Sequence, residues 1–190
     1  MVDDPIQWVR EAQAGDREAF DRLIGLHGRT LLRYLLNLTG SAANADDIAQ
    51  EAWLQAYRGI AGLNDPANFL GWLLRIAYHR WLRWLRKRKP AAELAPEELA
   101  QTPAKPEAQA PGAGELEDAV RKAVQQLPED QRTVVTLRFG EGLSHAQIAA
   151  ITGDEVATVR WRLFMARQTL QRRLREWAPE NSKKAEGGRQ

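Results

Sequence analysis

A chain of 190 residues suits one ordinary domain or two small ones, and the absence of cysteine excludes disulfides, thiolate metal sites and cysteine nucleophiles. Lys and Arg number 27 against 25 Asp and Glu, so the net charge of +2 carries information only through where the charges fall. His27, His79 and His145 lack paired ligand spacing and no apolar run approaches the ~18 residues of a membrane span; no metal, no cofactor and no membrane insertion are expected, and the chain reads as cytoplasmic.

From Trp8 to about Lys89 apolar residues recur at three and four positions without strict alternation, which predicts an all-helical unit. Within it, Ala45 to Leu54 places Asp47, Gln50 and Glu51 at helical neighbour spacing, with Ile48 and Ala52 on another face. Paired carboxylates can serve catalysis. Here no nucleophile, base or histidine accompanies them, and acids early in a helix commonly serve the macrodipole, so a docking face for a cationic partner is the better functional reading.

Between Arg75 and Lys89 stand seven cations and no acid. At about 100° per residue, Leu74, Ala77, Tyr78, Trp81, Leu82, Trp84 and Leu85 form one stripe, opposite Arg75, His79, Arg80, Arg83, Arg86 and Lys87. A solvated helix face usually mixes signs. An uncompensated cationic face repels itself unless a polyanion neutralises it, which points to nucleic acid. Trp81 lies mid-stripe and reads as core, Trp84 lies at its edge where an indole can meet a base, and Ile76 projects toward the cationic side.

The segment from Pro90 to Gly114 carries five prolines, many alanines and no aromatic residue, and reads as a linker. From Pro90 through Asp118 seven acids face Lys105 alone, which makes this stretch anionic. Helical periodicity resumes at Glu115 and runs to Trp177, before Pro179 and a polar tail expected to be disordered.

Near the C-terminus Ser144 followed by Gln147 is capping-box chemistry at a helix start, and a short helix is expected to about Ile151. Gly153 supplies a residue able to take positive φ, Ala149 permits close helix crossing, and Val159 re-enters the core ten residues later, which is helix-turn-helix spacing. On the second helix Val159, Leu163, Ala166, Leu170, Leu174 and Trp177 form an apolar stripe flanked by six arginines. Spacing alone also fits a plain helical hairpin; the arginine density favours DNA. Asp154, Glu155, Thr158, Arg160, Trp161 and Arg162 then face the groove. Trp161, Phe164, Met165 and Gln168 point away from the stripe, leaving three large apolar side chains for a protein partner or thymine methyls.

Taken in order, roughly from Trp8 to Trp177, these segments resemble the extracytoplasmic-function (ECF) sigma factors of the sigma-70 family. Gly15-Asp16-Arg17-Glu18-Ala19-Phe20 followed by Leu23 is similar to the opening of region 2, and Ala45 to Trp53 to its polymerase-binding helix. Phe69 to Ala77 resembles the F-x-x-W-L-x-x-I-A run that leads into the promoter-melting helix. Leu127-Pro128-Glu129-Asp130-Gln131-Arg132, Glu141 to Ser144 and Thr158 to Arg167 resemble region 4.

The resemblance implies an all-α fold of two small helical domains joined by a flexible linker, the C-terminal one a helix-turn-helix. Residues 1–89 would form the region 2 domain, 90–114 the linker, 115–177 the region 4 domain and 178–190 the tail. It further implies a non-enzymatic protein that directs RNA polymerase core to promoter DNA. Asp46, Asp47, Gln50, Glu51 and Trp53 would belong to the surface, or its support, that docks on the clamp of the beta-prime subunit, with the beta-subunit flap as a second polymerase contact. The minus-ten element would meet Asn64, Asp65 and Asn68, in the loop that captures a flipped base, and Arg75, His79, Arg80, Arg83, Trp84, Arg86 and Lys87. The minus-thirty-five element would meet Ser144, Asp154, Glu155, Thr158, Arg160, Trp161, Arg162 and Arg167. An anti-sigma partner is also implied, with Trp161, Phe164 and Met165 as one contact. His79 stands where the family usually has Asn, Arg83 where an Asp is common, and Trp161 where a small polar residue is usual, so the family's promoter preference is not carried over. The alternative reading is a helix-turn-helix regulator that binds its operator without core polymerase, as a two-fold dimer.

Overall fold

The computed structural model describes residues 4–88 and 113–175. It contains eight α-helices and no strand among those residues: α1 Pro5–Gln13, α2 Arg17–Thr39, α3 Ala42–Gly59, α4 Phe69–Arg88, α5 Ala113–Gln125, α6 Glu129–Val135, α7 His145–Thr152 and α8 Val156–Arg173. The expected linker up to residue 112, the last two residues of the expected C-terminal domain (176–177) and the expected tail, 178–190, lie outside the described residues. Helical structure resumes at Ala113, two residues before the predicted Glu115.

Local chemistry sets the boundaries. The Asp4 side chain accepts from the Ile6 amide, with Pro5 at the first helical position where its missing N–H removes only an orphan donor. Asp16 accepts from Glu18 and Ala19, and α2 ends on Gly40 in the left-handed region at φ +67°. Ser41 caps α3 and the capping box of Ser144 and Gln147 opens α7. Between α3 and α4 two 3-10 turns, Ile60–Gly62 and Pro66–Asn68, are pinned from α1, where Gln13 Nε2 donates to the carbonyls of Ile60 and Leu63 at 3.1 and 2.7 Å. A five-residue π-turn, Thr136–Gly140, continues α6.

Helices α1 to α4 pack around Phe20, Leu23, Leu31, Tyr34, Leu35, Leu73 and Trp81, all buried. The stripe predicted for α4 holds at Leu74, Ala77 and Trp81, but Ile76 is buried as well. Its burial follows the α3 side of α4: Trp72, one turn earlier, lies against Gly59, and Arg80, one turn later, bonds Gln55 and Glu51, so the packed sector is wider than a single stripe. Helices α5 to α8 form the second unit. A small cluster of Leu127, Val135 and Ala166 holds α6 to α8, whereas Val134, Leu137, Ile148, Ile151 and Val159 join the cluster that contains the N-terminal core. Both units expected from the sequence are present. They are also packed on each other, a contact the sequence did not predict.

Candidate polymerase and promoter surfaces

Three surfaces carry the predicted site residues. On α3, Asp46, Asp47, Gln50 and Glu51 are exposed, while Trp53 is half-buried and packs on Phe20 and Phe69 at centroid distances of 5.9 and 6.5 Å. Trp53 therefore supports the face from behind. Asp46 and Asp47 stand beyond the first turn of α3, where the dipole's pull on an acid has faded, so the macrodipole does not account for them. Leu54 and Tyr57, 50 % and 44 % exposed, continue the same face, Tyr57 with one edge against Phe20 at 5.1 Å; sequence reasoning passed over them, although large apolar side chains beside the acids are a legible signal.

The cationic surface of α4 presents Arg75, His79, Arg83, Arg86 and Lys87 to solvent. Arg80 is different. Its Nε donates to Gln55 at 2.7 Å and its Nη1 meets Glu51 at 3.2 Å, so this arginine ties the basic helix to the acidic one. Trp84 is half-buried with the Arg88 guanidinium 4.7 Å over its ring, which stiffens the cationic end of the helix. Burial first, and Arg75 second, hold the His79 imidazole below its ordinary value, so at neutral pH it offers a neutral donor and acceptor in place of a phosphate-seeking charge.

At the other end of α4, Asn64, Asp65 and Asn68 are exposed on the pinned loop. Asp65 is committed to the turn through the Ala67 amide at 3.1 Å. Asn68 folds over Gly71, where a Cβ would lie 2.4 Å from its Oδ1, so glycine leaves the space the amide occupies. Asn64, Asp65, Asn68 and Arg75 come together around one cavity of about 300 Å³. Arg86 and Lys87, eleven and twelve residues beyond Arg75, lie about 16–18 Å along the helix and do not join it.

The third surface is the helix-turn-helix. Gly153 takes φ +78° between α7 and α8, and Ala149 and Val159 are buried at the crossing, as the spacing predicts. Glu155, Arg160, Trp161 and Arg167 are exposed at or along α8, Ser144 is exposed at the α7 cap, and Thr158 is half-buried. Trp161 and Phe164 are exposed as expected, 58 % and 57 %, whereas Met165 is half-buried. Arg162 and Asp154 do not stand free in front of a groove. The Arg162 guanidinium lies between Asp154 and Asp130, 3.1 Å from the latter, and joins the turn and α6 to α8.

Among the described residues no helix is long and apolar enough to cross a membrane, and no group of three or more His, Asp or Glu is arranged to hold a metal ion. What the geometry defines is an all-helical protein with an acidic face and a cationic helix in one unit and an arginine-rich helix-turn-helix in the other. Family models named "Sigma-70 region 2" and "Sigma-70, region 4" match residues 23–90 and 117–170. The chain is 35 % identical over 178 residues to the RNA polymerase sigma-H factor of Pseudomonas aeruginosa, covering 88 % of this chain and 92 % of that one. It is 31 % identical over 176 residues to the ECF RNA polymerase sigma-E factor of Escherichia coli K12, covering 87 % and 92 %. The fold is also that of the sigma factor RpoE solved in complex with the anti-sigma factor NepR from Bartonella quintana, with TM-score 0.64 at 22 % identity over 82 % of this chain and 96 % of that one. The chain belongs to the ECF sigma factors of the sigma-70 family.

Proposed function

We propose that this chain binds RNA polymerase core and directs it to particular promoters from the cytoplasm, making and breaking no bond itself. Residues 1–89 act as the polymerase-binding and minus-ten domain, 115–177 as the minus-thirty-five domain, and 90–114 as the tether. The observation that carries this reading is the segregation of charge on adjacent helices. Asp46, Asp47, Gln50 and Glu51 offer an acidic docking face to the beta-prime clamp, while Arg75, Arg83, Arg86 and Lys87 on the next helix offer a surface for single-stranded DNA. Base capture falls to the loop of Asn64, Asp65 and Asn68. Flipping costs a few kcal/mol, which polymerase binding and strand capture together supply. Arg160, Trp161 and Arg167 face the duplex, with Arg162 and Asp154 holding the helix that carries them.

Because a related fold has been solved with an anti-sigma factor, we extend the proposal to such a partner, with exposed Trp161 and Phe164 as its contact. The test of the main reading is run-off transcription by core polymerase on the chain's own upstream region. Initiation should depend on the protein and fail with Asp47→Lys/Glu51→Lys. Specific DNA binding without core, coupled with no dependent transcript, would instead support a free-standing regulator.

A further inference from the structure

Helix α1 precedes the region 2 match at residues 23–90 and carries none of the proposed polymerase or DNA contacts, yet it reaches the loop that Asn64, Asp65 and Asn68 occupy. Its last residue, Gln13, is half-buried and uses one amide nitrogen twice: Nε2 donates to the Ile60 carbonyl at 3.1 Å and to the Leu63 carbonyl at 2.7 Å. A carboxamide carries two N–H donors on that nitrogen, so both bonds form at once. The two carbonyls bracket the 3-10 turn Ile60–Gly62, which follows directly on α3. Carbonyls at a helix end lack intrahelical partners, and here the donors come from a residue 47 and 50 positions earlier.

Helix α1 is a firm support for these bonds. Val9 and Ala12 are buried in the core, and the Arg22 guanidinium lies 5.7 Å over the Trp8 ring. The Asp16 N–H donates to the Glu11 carbonyl at 3.0 Å, which closes the end of α1 onto the start of α2. Ile60 and Leu63 in turn send their side chains into the core, so the turn is held by its side chains from within and by Gln13 through its backbone.

What these bonds leave loose is short. Beyond Asn64, the Asp65 carboxylate accepts from the Ala67 amide at 3.1 Å and its carbonyl from the Asn68 amide at 3.0 Å, which fixes the second turn. Asn64 is therefore the single residue between two pinned points, exposed on the wall of the cavity of about 300 Å³ that Asn68 and Arg75 also line. Fixing a loop before its ligand arrives removes that ordering cost from the binding step. The Nε2 of Gln13 is committed to the two carbonyls, so Gln13 acts through the loop and not on the base.

Resting on the reading of residues 64–68 as the capture loop, we infer that Gln13 is the positioning residue of base capture: from α1 it holds the turn Ile60–Gly62 so that Asn64 is in place before the strand arrives. The test uses holoenzyme assembled from the full chain and core polymerase, with single-stranded non-template oligonucleotides from a promoter that it transcribes and an abasic site placed at each minus-ten position in turn. With the wild-type chain one position, that of the flipped base, should weaken binding about tenfold more than its neighbours when abasic. Gln13→Met keeps the length of the side chain and has no donor. It should lower affinity for the intact strand about tenfold and erase the extra loss at that one position, with the losses at other positions and the affinity for core unchanged. Gln13→Lys restores a donor and should recover the position-specific loss. Gln13→Met/Asn64→Ala should bind no more weakly than Asn64→Ala alone, since one residue acts through the other. Uniform weakening at every position, a position-specific loss that survives Gln13→Met, or Gln13→Lys behaving as Gln13→Met overturns the role of Gln13 and leaves the capture loop standing. A wild-type holoenzyme for which no position stands out removes the capture loop itself, and the role of Gln13 with it.

Discussion

The six arginines flanking the α8 stripe divide into two roles once their partners are known. Arg162 is four-fifths buried between Asp130 and Asp154 and fixes the turn that aims α8, whereas Arg160 and Arg167 face solvent without such an anchor. Arg162→Ala leaves two acids facing each other in a partly dry site and should lower unfolding stability by about 1–3 kcal/mol, measured by urea denaturation. Arg160→Ala should leave the denaturation midpoint in place. Its effect belongs in the salt dependence of DNA binding, where the slope against log salt should fall by about one for each phosphate contact removed. Equal losses of stability in the two variants would show that α8 is not divided in this way. The sequence made both residues candidates because it shows charge and period; it does not show which guanidinium folds back onto an acid thirty-two positions earlier.

At the level of the helix, Gly71 argues that the start of α4 is built for its loop at the expense of helical propensity. Inside an exposed helix Ala is worth about 1 kcal/mol more than Gly, yet a Cβ here would displace the Asn68 amide, the flexible end of a side chain. Gly71→Ala should therefore keep or slightly raise thermal stability while weakening open-complex formation, scored by permanganate reactivity of the melted strand. If opening is unchanged, Asn68 has no part in strand capture. The same contrast explains what was legible. The Ser144–Gln147 capping box, the left-handed Gly153, the Val159 return and the cationic face of α4 are encoded within a few residues, by cap chemistry or a 3.6-residue period. Ile76 is not legible as core because its sector, between Trp72 against Gly59 and Arg80 on Gln55 and Glu51, faces α3, and no period within α4 reports how wide a sector its neighbours cover. Leu54 and Tyr57 are legible in the same way, as large apolar side chains at helical spacing beside the acids of α3.

Across the whole molecule, the junction of the two units joins groups about a hundred residues apart: Arg33 with Glu141, and the end of α2 with Gln125 and Arg132. The end of α2 contributes backbone carbonyls, which every residue possesses, so no side-chain pattern within α2 announces that part of the contact. Tyr34, next to Arg33 in α2, is where the packing beside this junction can be tested. Its ring is fully buried, burial above all pushes its hydroxyl well beyond the usual tyrosine range, and the nearby Tyr78 and Glu141 push the same way, so the neutral hydroxyl is kept with no partner for its proton. Tyr34→Phe removes the unpaired group and keeps the ring that fills the core. The folded chain should gain about 1 kcal/mol, seen as a higher urea midpoint with an unchanged slope, because the burial of surface is the same. A variant that is less stable would show that the hydroxyl has a partner when the chain is in solution.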